Sequence, residues 1–311
     1  MIYAGIDIGG TRIKMGLLQG QELIDCITMN VVNQLSVSEN LSLIAENLNN
    51  LIESNNQSGN LGGIGIALPC IVDSEQGKIL SDYAKFADAR SIDLESWARV
   101  NWNVSLIMEN DARAALIGEV AFGAAKNCRF AVMMTLGTGI GSAVLIDGKL
   151  LRGKHFLAGN LGGHMSINYL GKSCNCGDTG CVESEASTWA LPAIVRNHSL
   201  FSESSMSSEN KLDYESLFRN ADNGDPLAVE LSQNSLEAWS ATLRNLIYAY
   251  DPEKVIISGG IVGSDNRVLN YFKLKAQHAS WLPPNAVEIV LAEQPEWAGV
   301  SGAAYLIQSK A

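Results

Sequence analysis

Apolar and polar positions alternate along residues 2–8 (IYAGIDI) and 12–18 (RIKMGLL), a two-residue period that predicts β-strands, with Gly9-Gly10-Thr11 as the tight turn between them. The pattern returns in residues 133–151 (MMTLGTGIGSAVLIDGKLL) at a constant offset of 128, so that Gly9 corresponds to Gly137 and Gly20 to Gly148. Two such hairpins in two halves predict a duplicated α/β domain. Between them the period becomes helical over 36–54, where Leu41, Ile44, Ala45, Leu48, Leu51 and Ile52 share one face and Ser36 and Glu39 have capping-box spacing. Strands are predicted at 62–68, 104–108 and 255–257, and helices at 112–122, 186–195, 235–250 and 298–308, the last packing back on the first half. Residues 202–210 read as a polar surface segment. The weakly patterned stretch from 70 to 93 reads either as a substrate rim or lid or as a simply irregular loop, with Phe86, Trp97 and Trp102 filling core.

Composition narrows the class. At 311 residues, 47% hydrophobic and 18% charged, the chain can bury two cores and carries no mark of disorder. A formal net charge of −11 disfavours nucleic acid and anionic membrane surfaces as main partners, while leaving phosphate binding by backbone N–H groups open. The apolar run from 130 to 146 is broken by Gly137, Gly139 and Gly141 and is no membrane span, and the first strand begins at residue 2 with no signal-peptide pattern. Cys26, Cys70 and Cys128, three of the six cysteines, stand isolated in apolar sequence and read as buried thiols in a reducing, cytoplasmic setting.

The other three cysteines lie together. In 161–183 (LGGHMSINYLGKSCNCGDTGCVE), His164, Cys174, Cys176 and Cys181 are the donor set of a closed tetrahedral zinc site. Gly171, Gly177 and Gly180 let the backbone turn tightly enough for all four to face one ion. The competing reading is a chance cluster of thiols with His164 an ordinary core residue; a disulfide would leave an odd thiol. In the first hairpin the amides of Gly9 and Gly10, with Thr11, can hold phosphate oxygens. Asp7 at the mouth of that turn either holds Mg2+ directly or through water, or simply caps the turn. Thr135 replaces Asp7 in the second copy, so the hairpin itself does not need the carboxylate. Glu109-Asn110-Asp111 closes the strand at 104–108. Asp111 is the N-cap of the next helix, with Asn110 completing the turn, or a base for a substrate hydroxyl at a strand's carboxyl end, or both. Gly259-Gly260 makes a third turn after a strand, suited to a flat adenine or ribose and equally to bare helix packing.

Together these motifs resemble the ROK family of bacterial sugar kinases and sugar-responsive repressors, over nearly the whole chain. The resemblance rests on Asp7-Ile-Gly-Gly-Thr11 with Lys14, Glu109-Asn-Asp-Ala112, Leu136-Gly-Thr-Gly-Ile-Gly141, His164 with Cys174-x-Cys176-Gly-x-x-Gly-Cys181-x-Glu183, and Gly259-Gly260. It implies an α/β protein of the actin-like (ribonuclease H-like, hexokinase) ATPase fold, with duplicated domains flanking a cleft. These are expected at 1–118, completed by a C-terminal helix at 299–311, and at 119–298. It implies ATP-dependent phosphorylation of a primary hydroxyl of a hexose or amino sugar, with Asp111 as general base and Asn110, His164 and Glu183 on sugar hydroxyls. Asp7, Gly9, Gly10, Thr11, Lys14, Gly137, Thr138, Gly139, Gly259 and Gly260 would surround ATP and Mg2+, and Zn2+ would be structural. The implied partner is a small sugar, with no nucleic acid and no membrane, and the implied assembly is a homodimer.

One departure bears on the substrate. The family usually has a sugar-contacting Glu three residues before the zinc histidine, where this chain has Leu161; either Asn160 beside it substitutes, or the sugar is neither glucose nor N-acetylmannosamine. A repressor of the family is disfavoured by the acidic charge and by a hairpin that starts at residue 2. A catalytically degenerate sugar binder is disfavoured by the presence of Asp7, Asp111 and both phosphate turns.

Overall fold

The computed structural model describes residues 1–32, 36–81, 86–263, 266–277, 283 and 286–310. Residues 82–85 of the expected rim therefore lie outside the described residues. The chain forms two units, Met1–Cys128 with Leu150–Asn160 and Ala292–Ala311, and Arg129–Lys149 with Leu161–Leu291. In chain order the first runs β1 (Ile2–Ile8), β2 (Arg12–Gln19), β3 (Glu22–Asn30), α1 (Ser38–Ser54), β4 (Leu61–Leu68), the short pair β5 (Val72–Asp73) and β6 (Lys78–Ile79), α2 (Leu94–Trp102), β7 (Ser105–Asn110) and α3 (Asp111–Phe122). The second runs β8 (Ala131–Leu136), β9 (Ile140–Ile146), β10 (Lys149–Leu150), α4 (Val182–Ala186), α5 (Leu191–Arg196), α6 (Tyr214–Asp222), α7 (Pro226–Tyr250), β11 (Lys254–Ser258), α8 (Arg267–Gln277) and β12 (Glu288–Leu291), after which α9 (Ala298–Gln308) completes the first unit.

The two five-stranded sheets share one plan, as the repeated hairpin predicts. Their orders are β3-β2-β1-β4-β7 and β10-β9-β8-β11-β12. In the first, β1 and β2 are antiparallel while β4 and β7 continue the sheet in parallel; in the second, β8 and β9 are antiparallel while β11 and β12 continue in parallel. Parallel addition after a hairpin needs crossover helices, and α1 and α2 supply them in the first unit.

Alternation in β1 sorts its side chains onto two faces. Ile2, Ala4, Ile6 and Ile8 join the core with Ile44, Leu48 and Leu51 of α1 and Leu94 and Ala98 of α2. On the other face α9 comes down onto the sheet where glycines leave room for it. A Cβ on Gly5 would run into Val300 O, and one on Gly65 into Ala303 O. α3 meets α9 the same way, since a Cβ on Gly118 would strike Ala298 O and one on Gly302 would strike Ala114 O. α9 thus packs back on the first half as predicted.

Several boundaries differ from the sequence reading. The helix expected at 112–122 forms as α3, but the domain division does not fall within it: buried Glu119 accepts N–H bonds from Ala124, Glu293 and Gln294 at 2.7, 3.1 and 2.8 Å. The first unit therefore continues past the division expected at 118 and takes in the segment leading to α9. The capping box expected for α1 is half formed: Ser36 Oγ accepts from Glu39 N at 3.2 Å, but the helix starts at Ser38 and its first amides, from Val37 and Ser38, are taken by the distant Asp88. The helix expected at 186–195 is broken between Ala186 and Leu191, because Thr188 and Trp189 donate their N–H groups outward to Gly137 O and Thr138 O, both at 3.1 Å. α7 begins at Pro226, where Asp225 caps the helix by accepting from Ala228 N. The polar segment at 202–210 forms short 3-10 turns that bury Ser204 and Met206, and Cys26 and Cys128 are half-buried where full burial was expected.

The glycine contacts yield a direct expectation. Gly65→Ala should lower the unfolding free energy by about 1–3 kcal/mol, because the added methyl must displace α9 backbone. Urea denaturation would show this as a lower midpoint, and an unchanged midpoint would contradict the close packing.

Candidate active site

In the first unit the site grows from the carboxyl ends of parallel strands. Asp7 is the last residue but one of β1, and the Gly9–Thr11 turn closes with Gly9 N donating to Arg12 O at 3.0 Å. Asp7 pairs in register with Lys14 of β2, whose Nζ donates to Glu296 O at 2.7 Å and lies 5.8 Å from the Trp297 ring centroid. Lys14 is thus anchored beside Asp7 instead of reaching freely toward a phosphate. The start of α9 crowds the same carboxylate: a Cβ on Gly299 would lie 2.8 Å from Asp7 Oδ2.

β7 delivers the second carboxylate. Asn110, and not Asp111, is the N-cap of α3, and its Oδ1 accepts from Ala112 N and Arg113 N at 3.1 and 3.3 Å. Asp111 is the first helical residue, so the capping alternative passes to its neighbour. Asn110 Nδ2 donates to Cys70 O at 3.2 Å and to Asp111 Oδ1 at 2.9 Å, and Ala112 N donates to the same oxygen at 2.8 Å. Burial pushes Asp111 up to about 7, with the Asp7 charge adding to the effect, while the hydrogen bonds oppose it. Asp7 is pushed up to about 6 by burial, partly offset by Lys14. Asp111 is thus held back from ionising first by burial and then by the neighbouring Asp7 carboxylate.

A buried ion network that sequence reasoning did not assign sits behind them. Glu109 Oε1 accepts from Asn110 N at 2.9 Å, and its Oε2 takes Arg152 Nε and Nη2 at 3.0 and 2.6 Å. Fully buried Arg113 places Nη1 3.7 Å from Glu109 Oε1 and donates Nη2 to Phe156 O and Ala158 O at 3.0 and 2.7 Å. These bonds tie residues 152–158 to the first turn of α3. Asn160 follows, 7% exposed, with Oδ1 buried and, among the described residues, without a hydrogen-bond partner. The i, i+4 spacing of Glu109 and Arg113 was the available signal; the link to Arg152 was not.

In the second unit the Gly137-Thr138-Gly139 turn closes with Gly137 N donating to Gly139 O at 3.0 Å. Thr135, in the place of Asp7, accepts from Gly141 N at 3.1 Å, so the second copy satisfies its own turn with a hydroxyl. Gly259 has φ +102°, and a Cβ there would strike the Leu136 backbone, so this glycine is required by packing. Gly260 faces open space.

The ligating atoms of His164, Cys174, Cys176 and Cys181 all lie within 4.8 Å of one another. Cys174 Sγ is 3.6 Å from His164 Nδ1, and Cys176 Sγ is 3.7 Å from Cys181 Sγ. A tetrahedral ion with Zn–S bonds of about 2.3 Å has edges of about 3.7 Å, so the donor set fits zinc. Burial, with the neighbouring thiols, pushes Cys181 up to about 12, the cost that a bound divalent cation offsets. All six cysteines are free of disulfides. With Nδ1 turned to the cluster, His164 keeps Nε2 for another partner. Glu183, 9% exposed, accepts from Ile140 N at 2.8 Å and from Trp189 Nε1 at 3.1 Å. Leu161 is 37% exposed at the entry to the short turn Gly162–His164.

The chain is similar to known proteins over nearly its whole length. The chain is 30% identical to a glucokinase from Thermotoga maritima, covering 98% of this chain and 97% of that protein. It is 31% identical to a xylose repressor from Bacillus subtilis over 86% of this chain and 66% of the repressor. The structure superposes with a TM-score of 0.78 and 25% identity on a ROK family glucokinase from Streptomyces griseus in complex with glucose and AMPPNP, over 99% of this chain and 100% of that one. It has the actin-like α/β fold of these relatives. A family model described as ROK matches residues 3–310, and by that span the chain belongs to the ROK family.

Proposed function

We propose that this chain is an ATP-dependent carbohydrate kinase that transfers the γ-phosphoryl group to a primary hydroxyl of a hexose or amino sugar, with Asp111 as general base. The observation that carries this reading is the β7–α3 junction. Asn110 does the capping, which leaves the Asp111 carboxylate for chemistry, and burial beside Asp7 brings it to about 7, where a general base is best matched to neutral pH. The Thermotoga maritima glucokinase and the nucleotide-bound Streptomyces griseus structure support the reaction class.

In this mechanism the sugar hydroxyl gives its proton to Asp111 as its oxygen bonds phosphorus in line with the departing ADP oxygen. Asn110 orients the base and reaches a sugar hydroxyl, and the unpaired Oδ1 of Asn160 accepts from another. His164 Nε2 and Glu183 supply the remaining sugar contacts. Amides of 9–11 and 137–139 take phosphate oxygens, and Gly260, open on its own side, leaves room for the nucleoside. Asp7 would hold magnesium, which when bound offsets charge on the phosphates. Zinc held by His164 Nδ1 and three thiolates would be structural, because four protein donors close its shell. Among the described residues no helix is long and apolar enough to cross a membrane.

The repressor relative supports a second reading, a sugar-responsive regulator or sugar binder without catalysis. ADP release measured across a panel of hexoses and amino sugars separates the two. A kinase gives sugar-dependent ADP, whereas saturable sugar binding with no ADP would sink the proposal. Asp111→Ala should lower kcat by roughly 10²–10⁴-fold while sugar still binds; retention of most of the wild-type turnover would remove Asp111 from the role of base.

The raised pKa gives a second expectation. The base must be ionised, so kcat/KM for the sugar should fall about tenfold per unit as pH drops below about 7. A flat profile between pH 5 and 7 would contradict the assignment.

A further inference from the structure

Glu183, proposed above as a sugar contact, also turns both of its carboxylate oxygens to the second glycine turn and its surroundings. Oε2 accepts from Ile140 N, the amide that follows Gly139, and Oε1 accepts from Trp189 Nε1. The fit leaves no room for a side chain on either side. A Cβ on Gly139 would lie 2.6 Å from Oε2, and one on Gly163 would lie 3.2 Å from the same oxygen and strike Ile140 O. The backbone that follows continues the contact, as Thr188 N and Trp189 N bond to Gly137 O and Thr138 O. Residues 137, 138 and 140 are therefore all held from outside by 183–189.

The other end of this brace is the Cys/His cluster. Glu183 stands two residues beyond Cys181, and Gly163 precedes His164. Val182 N donates to Met165 O at 3.1 Å, and Cys181 Sγ lies 3.4 Å from His164 O, so the two ligand-bearing segments are joined to each other directly behind the carboxylate.

We infer that Glu183 is a positioning residue for the nucleotide: it transmits the order of the Cys/His loop to the Gly137–Ile140 turn and fixes the amides that receive phosphate. The inference rests on the reading of that turn as part of the nucleotide site. A glutamine at 183 would keep one acceptor and set an NH2 group against a donor, and a phenylalanine at 189 would remove one donor while keeping an aromatic ring.

The test is calorimetric titration of the zinc-loaded protein with Mg-ADP and, separately, with its best sugar. Glu183→Gln should weaken ADP binding about tenfold, equivalent to about 1.4 kcal/mol. Trp189→Phe should weaken ADP binding about threefold with sugar affinity unchanged, and it carries the test if Glu183→Gln fails to fold. Removing zinc from the wild type should also weaken ADP binding. Doing so in Glu183→Gln should add little, because both changes break one linkage. ADP affinity within twofold of wild type in Trp189→Phe, or fully additive losses on removing zinc from Glu183→Gln, would overturn the inference. A wild-type protein that binds no ADP would instead overturn the nucleotide reading of the turn.

Discussion

Backbone-on-backbone contact between α9 and its neighbours is the constraint from which the first half of the site follows. Because Gly5, Gly65, Gly118 and Gly302 carry no Cβ, the helix settles directly on β1, β4 and α3. That approach brings the start of α9 against Asp7, while parallel alignment of β1, β4 and β7 sets Asp7 and the β7–α3 junction at the same sheet edge. Two carboxylates are thereby confined together. Confinement raises the proton affinity of both, which disfavours their ionised forms and creates a group titrating near neutrality. The packing and the chemistry are consequences of one arrangement.

The two hairpins show how a duplicated element is supported differently in its two settings. The first turn keeps a carboxylate, Asp7, opposite Lys14 and beside α9. The second replaces it with Thr135, whose hydroxyl satisfies Gly141 N, and gains an external brace from Glu183, Thr188 and Trp189. One copy is arranged around charge. The other is arranged around fixed backbone geometry, which suits a turn that presents amides to phosphate. The Cys/His loop enters the account at this point, since it supplies the anchor of that brace.

Local features of the site were legible in the sequence, and distant ones were not. The hairpins, their constant offset, the Cys/His donor set and the Glu109-Asn110-Asp111 junction are set by spacing within a few residues, so period and composition reveal them. The exchange of roles between Asn110 and Asp111 is a matter of one residue at a strand–helix boundary, below the resolution of pattern reading. Asp88 at the head of α1, Arg152 on Glu109, and Glu183 on Ile140 join residues far apart in the chain, and no local pattern announces them. The break in the helix at 186–195 has the same origin, because the amides of Thr188 and Trp189 find partners in another element. Asp225-Pro226 is by contrast a local helix-start signal, and Leu227, Ala228 and Leu231 after it already belong to the buried face of the helix that the period reading began at 235.

In the reaction we propose, a carboxylate deprotonates an alcohol while backbone amides hold the phosphoryl donor. The product of that chemistry is defined by which oxygen accepts. Proton-coupled phosphorus NMR of the product formed from ATP and the preferred sugar reads this directly. The account predicts a phosphate monoester split into a triplet by the two protons of a primary carbon. A doublet from a secondary carbon, or inorganic phosphate as the sole product, would contradict it.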